Sequence, residues 1–126
     1  MARAIPDARR RAAALTDLAI QVAIGPGDIA EAERIVNTVN YEDDVVRNGR
    51  DFSVRVLAEQ LVAVHAREAE RIALTIKTDH ERDGALANMA RTLATTDKRT
   101  AKRLIERIGT DFIKQDMLDR LAKGRL

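Results

Sequence analysis

Residues Glu68–Ala90 (EAERIALTIKTDHERDGALANMA) lie over residues Thr100–Ala122 (TAKRLIERIGTDFIKQDMLDRLA) at an offset of 32. Identities fall at Ala69/Ala101, Arg71/Arg103, Ile76/Ile108, Thr78/Thr110, Asp79/Asp111, Leu86/Leu118 and Ala90/Ala122. Ile72/Leu104, Arg82/Lys114 and Met89/Leu121 add like-for-like pairs. The matched classes are ordered: small and apolar residues at helical spacing, then Thr-Asp at a helix start. Working upstream, Glu31-Ala32-Glu33-Arg34-Ile35 recurs letter for letter as Glu68-Ala69-Glu70-Arg71-Ile72, at an offset of 37. The larger offset calls for an insertion, placed around Val46–Arg50. At the N-terminus, Ala14-Leu15-Thr16-Asp17-Leu18-Ala19 parallels Ala85-Leu86-Ala87-Asn88-Met89-Ala90, and Ile5 takes the phase of Ile76. The chain therefore reads as one repeat domain over 1–126, with units at about 5–40, 41–77, 78–108 and 109–126.

Each unit reads as a shorter helix carrying Ala-x-Arg-Ile/Leu and a longer one carrying Ala/Met-Leu-x-x-Leu/Met-Ala. The expected helices span about 7–24, 28–40, 51–64, 66–77, 79–95, 98–108 and 111–123. Local chemistry sets these cuts. Gly25-Pro26-Gly27 breaks the chain, and Asp28 can accept an unpaired amide of the next first turn. Thr78-x-x-Glu81 has the form of a capping box, Asp97 of an N-cap, and Gly109-Thr110 of a helix stop followed by a start. Asn48-Gly49 reads either as a break or as the interior of a helix begun near Asp43. Periodicity places Leu15, Leu18, Ala19 and Val22 in the core, then Ile35, Val36 and Val39. Phe52, Val56, Leu57, Leu61 and Val64 follow, with Ile72, Ile76, Leu86, Met89 and Leu93. The stripe ends on Leu104, Ile105, Ile108, Phe112, Ile113, Leu118 and Leu121.

Composition agrees and excludes. The 126 residues are 45% hydrophobic and 33% charged, with Phe52, Phe112 and Tyr41 the only aromatics and Pro6 and Pro26 the only prolines. So few β-formers argue for an all-α domain. Cysteine is absent, which removes disulfides, thiolate metal sites and a cysteine nucleophile. No apolar run nears the roughly 20 residues of a membrane span. Asp17 and Gln21 interrupt any signal-like stretch after the basic start, so the expected location is the cytoplasm. The excess of arginine and alanine is in keeping with a bacterial, high-GC source.

Paired helices repeating every 32 residues or so resemble α-solenoid repeats of the tetratricopeptide and HEAT types. The Trp, Gly and Tyr positions of tetratricopeptide repeats are missing here. The Asp79…Arg82 and Asp111…Lys114 spacings before an Ala-Leu helix are closer to the HEAT pattern. The units are also similar to helical arrays attached to large bacterial signalling proteins, including STAND-type ATPases. The resemblance implies a short right-handed α-solenoid of about seven helices and a protein-binding or scaffold role.

Other chemistry finds simpler explanations. His65-x-x-Glu68 and His80-x-x-Asp83 each set an imidazole and a carboxylate on one helix face. A di-metal bundle needs the reverse order plus inward glutamates, so surface or inter-helix hydrogen bonding is the better reading, and no metal or cofactor is expected. Glu42-Asp43-Asp44 suits the positive end of a helix dipole. Gly25-Pro26-Gly27-Asp28 has neither the Gly-Lys-Ser/Thr sequence nor the preceding strand of a phosphate loop. Ser53, the single serine, lacks a nucleophile-elbow context.

The charge pattern carries the functional expectation. Net charge is only +2, but the shorter helices grade from acidic to basic. Asp28, Glu31 and Glu33 against Arg34 give −2 in the first. Arg67, Arg71 and Lys77 against Glu68 and Glu70 give +1 in the second. Lys98, Arg99, Lys102, Arg103 and Arg107 against Glu106 give +4 in the third. The expected role is a non-enzymatic interaction module whose aligned shorter helices bind a protein, a peptide or another domain of the parent chain. Arg34, Arg71, Lys102, Arg103 and Arg107 are the expected contacts. The rival reading is a nucleic-acid-binding HEAT-like domain using the basic face. A third is self-association through the first helix. Because Ile5 and Asp7 take the phase of Ile76 to Asp79, the chain reads as a segment of a longer array. Ala13, Ile20 and Ile24 are then the apolar flank that a preceding helix covers.

Overall fold

Seven helices and no strand are formed by the described residues: α1 (Ala4–Ile24), α2 (Ile29–Asn37), α3 (Gly49–Leu61), α4 (Ala66–Ala73), α5 (Asp79–Leu93), α6 (Lys98–Glu106) and α7 (Asp111–Ala122). The computed structural model describes residues 4–38 and 49–126, with side chains placed from residue 10 in the first stretch and residue 51 in the second. Val39, Tyr41, Glu42-Asp43-Asp44 and most of the Val46–Arg50 insertion lie outside the described residues.

Sequence chemistry explains the boundaries. Pro6 sits in the first turn of α1, where its missing amide hydrogen costs no intrahelical bond. Gly27 takes a φ of +78°, which glycine adopts without steric penalty. The Asp28 carboxylate then accepts a hydrogen bond from the Glu31 amide at 3.1 Å. Gly49 is the first described residue of α3, and because Asn48 and the residues before it lie outside the described residues, the choice between a break and a longer helix at Asn48-Gly49 falls there too. At the other ends, the Thr38 hydroxyl donates to the Ile35 carbonyl and the Thr75 hydroxyl to the Ile72 carbonyl, each at 2.6 Å. These bonds tie off α2 and α4 before the limits that apolar spacing sets, since a threonine hydroxyl competes for the last carbonyls.

Packing follows chain order. α1 packs on α2 and α3, α3 on α4 and α5, α5 on α6, and α6 on α7, with lighter contact of α2 on α3 and α4 on α5. The substantial contacts all join neighbours or next-but-one neighbours in the chain.

Burial recurs with the repeat. Val54, Leu57, Ala58 and Leu61 of α3 are buried, and so are Leu86, Met89, Ala90 and Leu93 at the offset of 32 in α5. Ala69, Ile72, Ala73 and Ile76 are matched by Ala101, Leu104, Ile105 and Ile108. Ala32, Ile35 and Val36 are buried in α2, at the offset of 37 from Ala69, Ile72 and Ala73. Small residues stand where helices approach closely, and branched ones fill between them.

Several expected core positions face solvent. In α1 it is Ala19 and Ala23 that are fully buried, while Leu18 is 47% exposed and Leu15 and Val22 are half-buried. The inward face of α1 is rotated by one residue from the stripe its leucines suggest. Val56 is half-buried, and Phe52, Val64, Phe112 and Ile113 are exposed, Phe112 at 82%. Phe112 takes the repeat position of His80, which is also exposed. Of the expected uncovered flank of α1, Ala13 and Ile24 are exposed, whereas Ile20 packs partly buried against the core. No helix among the described residues is long and apolar enough to cross a membrane.

Candidate functional site

Two sets of polar contacts join next-but-one helices, and each contains a contact that recurs at the sequence offset. The first is internal. Asp51, in the first turns of α3, is buried, and its carboxylate accepts from the Thr78 hydroxyl at 2.5 Å and the Thr78 amide at 3.0 Å. Asp83, at the offset of 32 in α5, is buried in the same way. It accepts from the Gly109 amide at 3.0 Å and the Thr110 hydroxyl at 2.7 Å. Each carboxylate thus grips the turn that opens the next long helix, and satisfies amides that a helix start leaves unpaired. The expected capping box at Thr78 does not form. Thr78 makes no cap to its own helix, and Glu81 turns instead to Arg55, at 3.0 Å. Arg55 also donates to Glu59 at 2.9 Å, and Asn88 donates to Glu59 at 2.8 Å. Burial, the largest influence on Arg55, draws its pKa down, but the bonds to Glu59 and Glu81 outweigh it and leave the pKa raised. Gly84 makes room for this group: a Cβ there would stand 2.7 Å from the Arg55 Nη1.

The second set runs over the surface. Arg71 of α4 pairs with Glu33 of α2 and, at 2.8 Å, with Glu68 of its own helix. Arg103 of α6 pairs with Glu70 of α4 at 2.6 Å. Arg71 and Arg103 are repeat equivalents, and so are Glu33 and Glu70, so one inter-unit ion pair is made twice. The hydrogen bonds that Arg71 donates to Glu33 and Glu68 raise its pKa. Arg34, in the first unit, donates through Nε to Glu31 of its own helix at 2.8 Å. That bond lowers the Glu31 pKa and raises that of Arg34.

Of the five expected contact residues, then, Arg34, Arg71 and Arg103 are engaged within the chain. Lys102 and Arg107 are exposed and make no ion pair among the described residues, and the same holds for Lys98 and Arg99. The only acid in the Lys98–Arg107 stretch is Glu106. The basic character of α6 therefore remains largely unneutralised, while Glu68, Glu70 and Arg71 of α4 are all held in ion pairs.

The histidines gather no ligand set. His65 is the N-cap residue of α4 without a side-chain cap bond, and its neighbour Glu68 is held by Arg71. His80 is exposed, and its neighbour Asp83 is committed to Gly109 and Thr110. No group of three or more His, Cys, Asp or Glu fit to hold a metal occurs among the described residues. A groove of about 550 Å³ runs between α5 and α7, floored by Ala87, Ile113 and Met117 with Arg91 and Asp116 along it.

Sequence reading missed Asp51, Asp83 and the Arg55–Gly84 contact. The aspartates were within reach: carrying the offset of 32 upstream of Glu68 lays Asp51 over Asp83. Arg55 and Gly84 have no equivalents at that offset, so repetition gave no signal. Compared with protein-family models, curated proteins and solved structures, the chain matches none.

Proposed function

We propose that this chain is a non-enzymatic helical-repeat module for protein–protein or intramolecular interaction. On this reading it is a short right-handed α-solenoid, similar to HEAT and tetratricopeptide-like arrays, that serves a larger bacterial cytoplasmic protein. The observation that carries the reading is the twofold recurrence of the same unit-to-unit contacts, Asp51–Thr78 with Asp83–Thr110 and Arg71–Glu33 with Arg103–Glu70. Units that lean on their neighbours by repeated contacts build an extended surface, which such arrays use for binding. The chain-local packing of the helices supports the same arrangement. The cations Lys98, Arg99, Lys102 and Arg107 are the surface available to a partner.

Those same cations are what favours the second reading, a nucleic-acid-binding domain. Labelled peptides of acidic, basic and amphipathic composition, and a random duplex, separate the two by fluorescence anisotropy over a salt series. An interaction module binds at least one peptide class. Binding to duplex alone, with a steep loss as salt rises, supports the nucleic-acid reading and overturns the first.

A further inference from the structure

We infer that the exposed edge of α6 docks an acidic α-helix of a partner protein, joined to α6 by ion pairs as Arg103 joins α6 to Glu70 of α4. The inference rests on the interaction-module reading and adds the partner's chemistry. Its basis is a reversal of charge in the surface contacts. Glu33 of α2 receives Arg71 of the next unit, and Glu70 of α4 receives Arg103 of the next. The equivalent position on α6 is Lys102, exposed and without an ion pair among the described residues. An element that follows α6 with an arginine, as α4 follows α2, would meet a like charge. One that brings a carboxylate would find a partner. Lys98 stands one turn before Lys102, on the flank of the helix away from Arg103, because residues four apart share a face. Arg99 adds to the exposed charge beside them. Two carboxylates four residues apart on a helix match Lys98 and Lys102 in spacing and in sign.

Other occupants fit less well. The acidic helices of this chain itself hold most of their carboxylates in pairs, Glu31 with Arg34 and Glu33 with Arg71 on α2, Asp116 with Arg120 and Asp119 with Lys123 on α7, so a second copy would break its own pairs to bind. A duplex would overrun the basic strip, which at nine residues is about 13 Å long. It would then meet Glu68 and Glu70 on α4 and the exposed Asp111, Asp116 and Asp119 on α7.

The test uses a capped acidic peptide of about 20 residues, long enough to be helical alone, with glutamates four apart. Anisotropy titrations compare the native chain with Lys98→Glu/Lys102→Glu and with Arg10→Glu/Arg11→Glu, an equal charge change at exposed positions on α1. The expected result is binding that weakens roughly tenfold or more in the α6 variant and much less in the α1 variant. Circular dichroism checks that both variants stay folded. Equal weakening in both would overturn the inference, because attraction would then be diffuse. So would failure of the acidic peptide to bind at low salt, tighter binding of random duplex lost in the α6 variant, or self-association lost in that variant. If the acidic peptide fails in one of these ways while the native chain binds another peptide class, the interaction-module reading stands and this inference alone falls.

Discussion

Asp83 shows what a single carboxylate does in this fold. It is buried, yet it holds both the Gly109 amide and the Thr110 hydroxyl at the start of α7. Hydrogen bonds to a charged acceptor are worth about 1.5–3 kcal/mol each at most sites. Gly109 and Thr110 are exposed, so water can replace part of the loss. Asp83→Ala is therefore expected to cost about 2 kcal/mol in a denaturant titration, and Asp83→Asn, which keeps one acceptor oxygen, clearly less. Asp97 offers a pH handle. Its carboxylate accepts from the Thr100 hydroxyl at 2.6 Å and from the Thr100 amide at 3.1 Å. The bond from the Thr100 side chain, then that from its amide, lowers its pKa below the ordinary value. A depressed folded pKa means that the cap stabilises fully above the unfolded value of about 3.9 and is lost as pH falls through the folded one. The Thr100 amide shift in NMR should thus titrate below about pH 4, and Asp97→Asn should abolish that titration. Asp97 and Asp28 were legible as caps because capping is local in sequence. Thr78 and Glu81 were misread for the same reason: their local pattern fits a capping box, but partners 27 and 26 residues upstream, Asp51 and Arg55, draw both away.

At the scale of the helix, the repeat located the elements well and the inward faces less well. Existence and order of all seven follow from the offsets and the breakers. The face of α1 did not, because apolar residues occupy almost every phase between Ala12 and Ile24 and the hydrophobic pattern allows a shift of one position. What fixes the rotation is the close approach of α2 and α3, which favours Ala19 and Ala23 over the bulkier Leu18. Two substitutions check this. Leu18→Gln, at a position 47% exposed, should change stability by no more than about 0.5 kcal/mol. Ala19→Leu should cost about 1–3 kcal/mol by overpacking. If the leucine stripe faced inward, these effects would be reversed. The repeat also ranks core positions. Leu86 is fully buried, whereas its equivalent Leu118 is only half-buried, since α7 meets fewer neighbours than α5. Leu86→Ala should cost about 2–5 kcal/mol in urea and Leu118→Ala distinctly less.

Across the whole molecule, the substantial packing among the described helices joins elements adjacent or next but one in the chain, and on the solenoid reading this gives stability that varies along the chain. α3 and α5 sit against helices on several sides. α7 packs substantially on α6 alone, buries only Met117 and Leu121, and is separated from α5 by the groove of about 550 Å³. Its tie to α5 is Asp83, acting on the turn before it. Hydrogen exchange should therefore show the amides of α7 opening at lower free energy than those of α3 and α5. Removing the tie should act on one side only. In Asp83→Ala the amides of α6 and α7 should exchange faster, while those of α1 and α2, more than one unit away, keep their native rates. In Asp51→Ala the larger change should move to α4 and α5, whose junction at Thr78 that carboxylate holds. A closed bundle would respond otherwise. Each substitution would lower protection in all seven helices together, because every helix would share one core. Uniform acceleration in both variants would therefore contradict the solenoid reading, and displacement of the weakened region by one unit between the two variants would support it.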